Sequence, residues 1–125
     1  MPEPFDPATT FQLTPQDLDN AWELFQGLQT VSYQEYSATT DLPTTTHTGI
    51  QALTEMEERK EIEINDVLSF QRTRPFNLRV ANFVGVEVTK RGRIIEANGT
   101  IWVVITAKLK SWKTRWTCEC YALEG

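Results

Sequence analysis

The stretch VTKRGRIIEANGTIWVVI, residues Val88–Ile105, decides the fold class of this 125-residue chain. Asn98-Gly99 lies between two runs rich in β-branched residues, which is the strongest short signal for a β-hairpin with a two-residue turn. The runs Arg93–Ala97 and Thr100–Lys108 are therefore predicted to pair as antiparallel strands. Period-two alternation predicts that three residues of the second run face the core: Ile101, Val103 and Ile105.

Further strands are predicted on both sides of this hairpin. The segments Thr30–Tyr36 and Arg115–Leu123 are rich in β-branched and aromatic residues. Residues 50–60 fit either a helix or two strands. We favour a strand, a charged turn and a second strand that continues through Phe70, past a bulge or an inward-facing acid near Asp66. Alternating valines predict that another strand opens at Val84, Val86 and Val88.

These elements define the expected fold class. It is mainly β, a small antiparallel β-barrel or strongly bent sheet of about six strands in meander order, with one N-terminal helix. An extended N-terminal arm is expected over residues 1–13, and residues 14–125 are expected to form a single β-barrel-like domain. Two segments are predicted to be connections, residues 37–49 with their six threonines and residues 72–85 with their three arginines.

The N-terminal helix is predicted at about residues 15–28. Thr14 suits the N-cap, Pro15 the first helical position and Asp17 the positive end of the helix dipole. Regularly spaced apolar residues should dock the helix on the rest of the chain: Leu18, Ala21, Trp22, Phe25 and Leu28.

The charges are unevenly distributed, although the formal net charge is only -5. Residues 1–71 carry thirteen acidic and two basic side chains, a net -11, and residues 72–125 carry ten basic and four acidic ones, a net +6. Two interpretations stay open: neutralisation within the fold, or an acidic face that contacts the basic face of a neighbouring molecule. The second predicts an interface made of Lys90, Arg91, Arg93, Glu57, Glu58, Glu61 and Glu63.

Composition gives further expectations. With 40% hydrophobic residues the chain can fold without a disulfide or a metal. It has no apolar run of about eighteen residues, and its N-terminus lacks the basic and apolar regions of a secretory signal, so we expect neither a membrane span nor secretion. Cys118 and Cys120 are expected to be reduced core residues, because neighbours on one strand face lack disulfide geometry.

Catalytic and metal-binding residues are sparse. His47 is the single histidine, and it has no nucleophile or acid at a motif spacing. A zinc site would need four ligands, and only His47 is available to join Cys118 and Cys120. The run of acids at residues 55–63 lacks the aspartate pattern of a calcium loop, and we interpret it as a solvated or partner-facing edge. We therefore expect no enzymatic activity, metal or cofactor.

The segment Lys108–Trp116 interleaves basic residues with two tryptophans. Cations that bind phosphates, next to rings that stack on bases, are typical of single-strand binding surfaces. The alternative is a hairpin whose tryptophans pack inward while its lysines are solvated. The first interpretation predicts these DNA-facing residues: Lys108, Lys110, Trp112, Lys113 and Arg115.

Several short motifs follow one another in a recognisable order. After the leading helix come Val31-Ser32-Tyr33, the threonine-rich segment, a strand ending in acidic residues, Asp66–Phe70, Lys90–Glu96 with its basic-glycine-basic step, and Gly99–Val104. From about Leu18 to Leu123 this order resembles the small head-tail connector proteins of tailed bacteriophages, of the head-closure or stopper type. The family pattern is roughly R-G-D-x-I followed by G-x-x-[YW]-x-V, and Arg93 stands where the aspartate is usual.

The resemblance implies a small β-barrel protomer that assembles into a ring of six or twelve copies beneath the portal and adaptor. Such a ring seals the packaged genome and receives the tail. The implied partners are further copies of the chain, portal or adaptor proteins, tail proteins and, non-specifically, packaged DNA. The implied place is the head-tail interface of the virion, after synthesis in the host cytoplasm.

Two other classes of function stay open on the residues alone. One is a soluble β-barrel binding module, either for single-stranded nucleic acid through Lys108–Trp116 or as a small inhibitor protein. The other is a small enzyme with a pocket under the helix, for which the sequence supplies no obvious acid-base pair.

Overall fold

Seven antiparallel strands form most of the structure, a computed structural model that describes residues 14–25, 27–37, 39–40, 42–110 and 113–123. The strands are β1 (Gln29–Ser37), β2 (Leu42–Thr54), β3 (Glu58–Ile64), β4 (Val67–Arg79), β5 (Arg93–Glu96), β6 (Ile101–Lys110) and β7 (Arg115–Ala122). One short helix, α1 (Pro15–Asn20), precedes them. The predicted arm over residues 1–13 lies outside the described residues.

Six of the strands close into a hydrogen-bonded ring. The sheet order is β2-β1-β5-β6-β7-β4, and the ring closes where Ala52–Thr54 of β2 pair with Phe76–Leu78 of β4. Among the described strands, β3 pairs only with β4 and lies outside the ring. The mainly β fold class with one N-terminal helix is confirmed. The barrel is uneven, because the β2–β4 pairing that closes it spans only three residue pairs. The predicted meander order is wrong, because β5 pairs with β1 and β4 pairs with β7.

The β5–β6 hairpin forms as predicted. Gly99 has φ +91°, and the amide of Gly99 donates to the carbonyl of Glu96. The register places Ile94 opposite Trp102, which sets Trp102 and Val104 toward the core. The prediction that the odd-numbered residues face the core is therefore wrong: Val103 is buried on the other face, and Ile101 and Ile105 are only half-buried.

A second hairpin replaces the single long strand predicted from Ile62 to Phe70. Asn65 and Asp66 have φ of +52° and +66°, and they turn the chain between β3 and β4 instead of forming a bulge. The connection predicted from residue 72 is also wrong, since β4 continues to Arg79. The three arginines of this segment can lie in a strand because each is paired with a carboxylate from a distant part of the sequence.

The threonine-rich segment is a strand and not the predicted loop. Residues 42–49 belong to β2 and pair with β1, where Ser37 lies opposite Leu42 and Tyr33 opposite His47. Threonine is β-branched and favours strands, and a two-stranded ribbon exposed on both faces needs no apolar row. The strand predicted to open at Val84 does not form: residues 83–92 are irregular, although Val88 packs in the core.

The helix is well capped and shorter than predicted. Thr14 and Asp17 form a reciprocal capping box, and Pro15 occupies the first turn. The α-helix ends at Asn20 and a 3-10 turn runs to Leu24, so the predicted extension to Leu28 is wrong. Gly27 follows with φ +78°, a conformation that a helix cannot continue.

Arg79 holds this helix against the barrel. Its guanidinium donates to both carboxylate oxygens of Asp19, at 2.9 and 3.1 Å, and to Glu23 at 2.7 Å. It also donates to the side-chain oxygen of Gln51 on β2. The hydrogen bonds from Arg79 to Asp19 and then Glu23 raise the pKa of Arg79 above its ordinary value. The side chain thus links α1 to β2 and β4.

Replacing Arg79 with methionine is expected to lower the free energy of unfolding by about 2 kcal/mol, because the charge-assisted bonds to Asp19 and Glu23 are lost. Amide hydrogens of α1 should exchange faster in the variant, which hydrogen exchange with mass spectrometry measures. The matched control is Arg59→Met at an exposed position, for which we expect a change within about 0.5 kcal/mol. Equal exchange of α1 in R79M and wild type would contradict this role of Arg79.

Cys118 and Cys120 are fully buried on the core face of β7, as predicted, and both are free thiols. Burial raises the pKa of Cys118 from 9.0 to about 12. Burial also raises the pKa of Cys120, and the charges of Cys118 and Glu119 add to that effect. At neutral pH the thiols are therefore protonated and unreactive.

A thiol reagent at pH 8 is expected to modify the native chain only as fast as the chain unfolds, and the urea-unfolded chain within the mixing time. Burial raises the pKa of Cys118 in the folded chain. The contribution of its neutral thiol to the free energy of unfolding is therefore complete below about pH 9 and declines as the pH rises toward 12. The rate of thiol modification is measured by the absorbance of the chromophore that the thiol reagent releases. Immediate reaction of two thiols in the native chain would contradict their burial.

Candidate functional site

The basic-glycine-basic step packs directly against the tyrosine of the Val31-Ser32-Tyr33 motif. Gly92 is buried, and a Cβ built on it would lie 2.7 Å from Cε1 and 2.8 Å from Cζ of Tyr33. The Tyr33 hydroxyl accepts a hydrogen bond from the Thr89 amide at 3.1 Å, which fixes the hydroxyl end of the ring. These two motifs, about sixty residues apart in the chain, form one packing unit.

Of the predicted basic residues beside this packing unit, Lys90 and Arg91 are exposed and Arg93 is half-buried. The amide of Arg91 donates to the Val104 carbonyl at 2.9 Å, and the Val104 amide donates to the Gly92 carbonyl at 2.8 Å. Arg91 adopts φ +76°, which the two flanking bonds hold in place. The backbone of the turn is thus fixed to β6, and Arg93 follows it as the first residue of β5.

Lys90, Arg91 and Arg93 line an open cleft of about 410 Å³. Its far wall is the tip of the β3–β4 hairpin, which brings Glu63 and Asn65 to the same cleft. The guanidinium of Arg91 donates to the side-chain oxygen of Asn65 at 3.3 Å. One residue of the acidic set therefore lies beside the basic set within a single chain.

The cleft floor is apolar and carries a phenol. Val103 and Tyr121 stand on neighbouring strands in register, and both line the cleft. Burial raises the pKa of Tyr121, an effect that the charges of Arg93 and Arg91 partly offset. A floor of this kind below three cations suits a carboxylate-bearing partner with an apolar body.

The other predicted acidic residues differ in their surroundings. Glu57 accepts a bidentate pair of hydrogen bonds from Arg72, at 3.1 and 2.8 Å, and these bonds lower the pKa of Glu57. Glu58 and Glu61 are exposed on β3. Part of the acidic half is thus neutralised within the fold, and part faces solvent.

The predicted DNA-facing residues cluster at the end of the β6–β7 hairpin. Lys108, Lys110 and Lys113 are exposed, and Arg115 is half-buried directly opposite Lys110. Trp112 lies outside the described residues. The neighbouring Trp116 is buried at 8% exposure, so it packs inward as one of the two interpretations of this segment expected.

A buried polar cluster at the other end of the barrel was not predicted. The indole nitrogen of Trp102 donates to Glu96 at 2.6 Å, and a guanidinium nitrogen of Arg74 lies 3.5 Å from the second oxygen of the same carboxylate. Arg74 also donates to the carbonyl of Glu55. A signal was present in the sequence, since Ile94 and Glu96 share the parity of the core face of β5.

His47 contacts Glu35 on the β1–β2 hairpin, with its Nε2 atom 2.9 Å from a carboxylate oxygen of Glu35. Among the described residues, no group of three or more histidine, cysteine or acidic side chains is placed to hold a metal ion. No helix in the described part of the chain is long and apolar enough to cross a membrane.

The fold and these surfaces define a class: a small six-stranded closed barrel with an N-terminal helix and hairpins that extend beyond its ring. The chain matches no protein-family model, and its sequence matches no curated protein. Its structure is similar to that of the phage-like element PBSX protein xkdH from Bacillus subtilis, with a TM-score of 0.45 and 6% sequence identity over 76% of this chain and 93% of that one.

Proposed function

We propose that this chain is a structural protein of a tailed-phage particle that forms a ring at the head-tail interface and joins the portal or adaptor to the tail. The observation that carries the proposal is the contact between Gly92 and Tyr33. Two motifs of the connector resemblance, distant in sequence, form a single packing unit there. This contact gives the motif order a physical basis.

The surfaces of the chain also suit a ring. Ring subunits meet through two different faces, so each subunit needs two complementary surfaces. Glu58 and Glu61 are exposed on β3, and Lys90, Arg91 and Arg93 surround an open cleft. We propose that these residues and Glu63 are at or near the contact between neighbouring copies, where opposite charge favours one register over others.

The decisive experiment is electron microscopy of purified particles and of the isolated neck, with mass spectrometry of the same sample. The expected result is a ring of six or twelve copies between the portal and the tail. Absence of the chain from purified particles would refute the proposal. So would a chain that light scattering finds monomeric in the presence of portal and tail components.

Charge reversal tests the basic cleft. Arg91→Glu or Arg93→Glu is expected to weaken incorporation into the neck while leaving the melting temperature close to wild type, because both side chains lie at the cleft. Ala97→Glu, at an exposed position just past the far end of β5, adds a negative charge away from the cleft and is the control. Unchanged incorporation of R91E and R93E would exclude the cleft from the contact.

A second candidate function is contact with DNA through the basic end of the β6–β7 hairpin. The exposed lysines there support it, because a local cluster of cations binds phosphates without reading sequence. Binding of single- and double-stranded DNA should fall steeply with salt, and Lys108→Glu with Lys110→Glu should lower the salt slope by roughly 2. No binding at low salt would dismiss this function, whereas binding by a chain absent from particles would favour a nucleic-acid-binding module.

A further inference from the structure

The floor of the basic cleft is a row of residues on three neighbouring strands. Arg93 lies directly opposite Val103, and Val103 lies directly opposite Tyr121. Residues in such a row share one face of a sheet. It is the face away from the core, because the neighbouring pair Trp102 and Ala122 packs inside the barrel. Adjacent strands lie about 4.8 Å apart, so the row spans roughly 10 Å and suits a flat molecule of one or two rings.

The charges of the cleft are separated between its two walls. The barrel wall carries three cations, Lys90, Arg91 and Arg93. The hairpin wall carries Glu63, and Asp66 adjoins that wall. The cleft itself is net positive, with three cations against one carboxylate among its lining residues. Because the two signs lie on different walls, a ligand that suits both needs an anionic group at one end and a hydrogen-bond donor at the other.

The fold holds both walls in place without a ligand. Arg91 and Asn65 have φ of +76° and +52°, and a hydrogen bond of 3.3 Å joins their side chains across the cleft. Asparagine tolerates a left-handed backbone, whereas arginine rarely adopts one. Strained residues that the surrounding structure fixes are concentrated at ligand sites. The left-handed Arg91, fixed by its bond to Val104, therefore indicates a preformed binding site.

We propose that the cleft binds a nucleotide whose base carries an amino group, either as a free monophosphate or unpaired at the end of a DNA strand. The phosphate carries about two negative charges at neutral pH and faces the three cations of the barrel wall. The base lies on the floor at Val103 and Tyr121, where an aromatic side chain favours stacking. The Glu63 carboxylate accepts a hydrogen bond from the amino group, as acidic side chains do from cytosine. A volume of about 410 Å³ is typical of small-ligand sites.

The test is isothermal titration calorimetry of the full chain at low salt with deoxycytidine monophosphate and deoxyuridine monophosphate. The two nucleotides differ at one ring position, where cytosine donates a hydrogen bond and uracil accepts one. The cytidine nucleotide should bind about tenfold more tightly, because the Glu63 carboxylate accepts from the amino group and repels the uracil oxygen. Inorganic phosphate and deoxycytidine without a phosphate each make only part of the contacts, so both should bind more weakly than deoxycytidine monophosphate.

Two variants separate the two ends of the ligand. Glu63→Gln should abolish the preference for the cytidine nucleotide, because the glutamine amide can donate to the uracil oxygen as well as accept from the amino group. Arg93→Gln should weaken the binding of both nucleotides about tenfold and leave the preference unchanged. Arg59→Gln is the matched control, because it removes an exposed cation that does not line the cleft, and it should bind like the wild type. Equal circular dichroism spectra and melting temperatures establish that the variants are folded.

Two DNA hairpins distinguish the source of the nucleotide. One hairpin ends in a single unpaired, phosphorylated cytidine, and the other has the same stem with a blunt end. Tighter binding of the first hairpin, reversed by free deoxycytidine monophosphate, would identify a DNA end as the source. Equal binding of the two hairpins, together with binding of the free nucleotide, would identify the monophosphate. The comparison cancels any contact of the shared stem with the lysines near the β6–β7 turn.

Three results would overturn the inference: no detectable binding of deoxycytidine monophosphate at about 1 mM, equal affinity of the wild type for the two nucleotides, or an E63Q variant that keeps the preference. Inorganic phosphate that binds as tightly as the nucleotide would also overturn it, because the cleft would then accept any anion. The inference goes beyond the proposed function, which is judged separately by the presence of the chain in purified necks.

Discussion

Replacing Gly92 with alanine is expected to lower the free energy of unfolding by about 3 kcal/mol, because the added methyl group would overlap the fully buried ring of Tyr33. The ring cannot easily move away. It lies 6.0 Å from the ring of Phe83, and its hydroxyl holds the Thr89 amide. The cost arises from packing and not from backbone conformation, because Gly92 does not adopt a positive φ. Urea denaturation followed by circular dichroism measures the effect.

Two control variants separate packing from backbone conformation. Gly99→Ala adds a methyl group in open space at φ +91°, and we expect a loss of about 1 kcal/mol. Tyr33→Phe removes the hydroxyl that lies nearest the added methyl, so G92A should cost less in the Y33F background than in the wild type. Stability of G92A within about 0.5 kcal/mol of wild type would contradict the proposed packing unit.

Replacing Glu96 with leucine is expected to cost about 3 kcal/mol, because it leaves the buried indole N–H of Trp102 without its acceptor. Glu96 is 7% exposed and Trp102 is fully buried, so water cannot easily replace the lost carboxylate. The same substitution removes the acidic neighbour of the guanidinium of Arg74. The free energy of unfolding in urea measures the combined loss.

Glu96→Gln distinguishes the hydrogen bond from the charge. The amide oxygen can still accept from Trp102, so this variant should lose roughly half as much stability as E96L. The surface control is Glu87→Leu at an exposed position, where little change is expected. Equal stability of E96L and wild type would mean that the buried carboxylate contributes nothing.

The sequence predicts those turns and helix ends whose conformation is set by residues adjacent in the chain. Asn98-Gly99 sets its own turn, and Thr14 with Asp17 caps its own helix, so both are visible in a few residues. The β1–β2 hairpin was missed for a physical reason. Both faces of its threonine-rich strand are exposed, and a strand without a buried face has no hydrophobic period.

Long-range pairing explains why the second half of β4, from Arg72, differs from the predicted connection. The predicted connection carries three arginines, and each has an acidic partner that the fold brings close. Arg72 bonds Glu57, Arg74 lies beside Glu96, and Arg79 holds Asp19. Sequence spacing cannot indicate such partners, which lie fifteen to sixty residues away. The same contacts neutralise part of the charge difference between the two halves of the chain.

The candidate site was predictable in its residues but not in its geometry. Lys90, Arg91 and Arg93 stood out as cations, and the fold places them around one cleft. Glu63 reaches the same cleft because of the β3–β4 turn, and the alternation of residues 62–70 predicts one continuous strand there instead of a turn. The exposure of Leu68 and Phe70 appears only when the end of the barrel wall is known, because their alternation alone resembles that of a core strand.

The narrow closure of the barrel has a consequence for how such a chain can evolve. The ring closes across three residue pairs between β2 and β4, and the tips of the β1–β2 and β3–β4 hairpins lie outside those pairs. Residues inserted at either tip would lengthen a hairpin without changing the perimeter of the barrel, and surface insertions of this kind carry a small entropic cost. Recognition of new partners can therefore diverge at the tips while the core sequence stays under constraint.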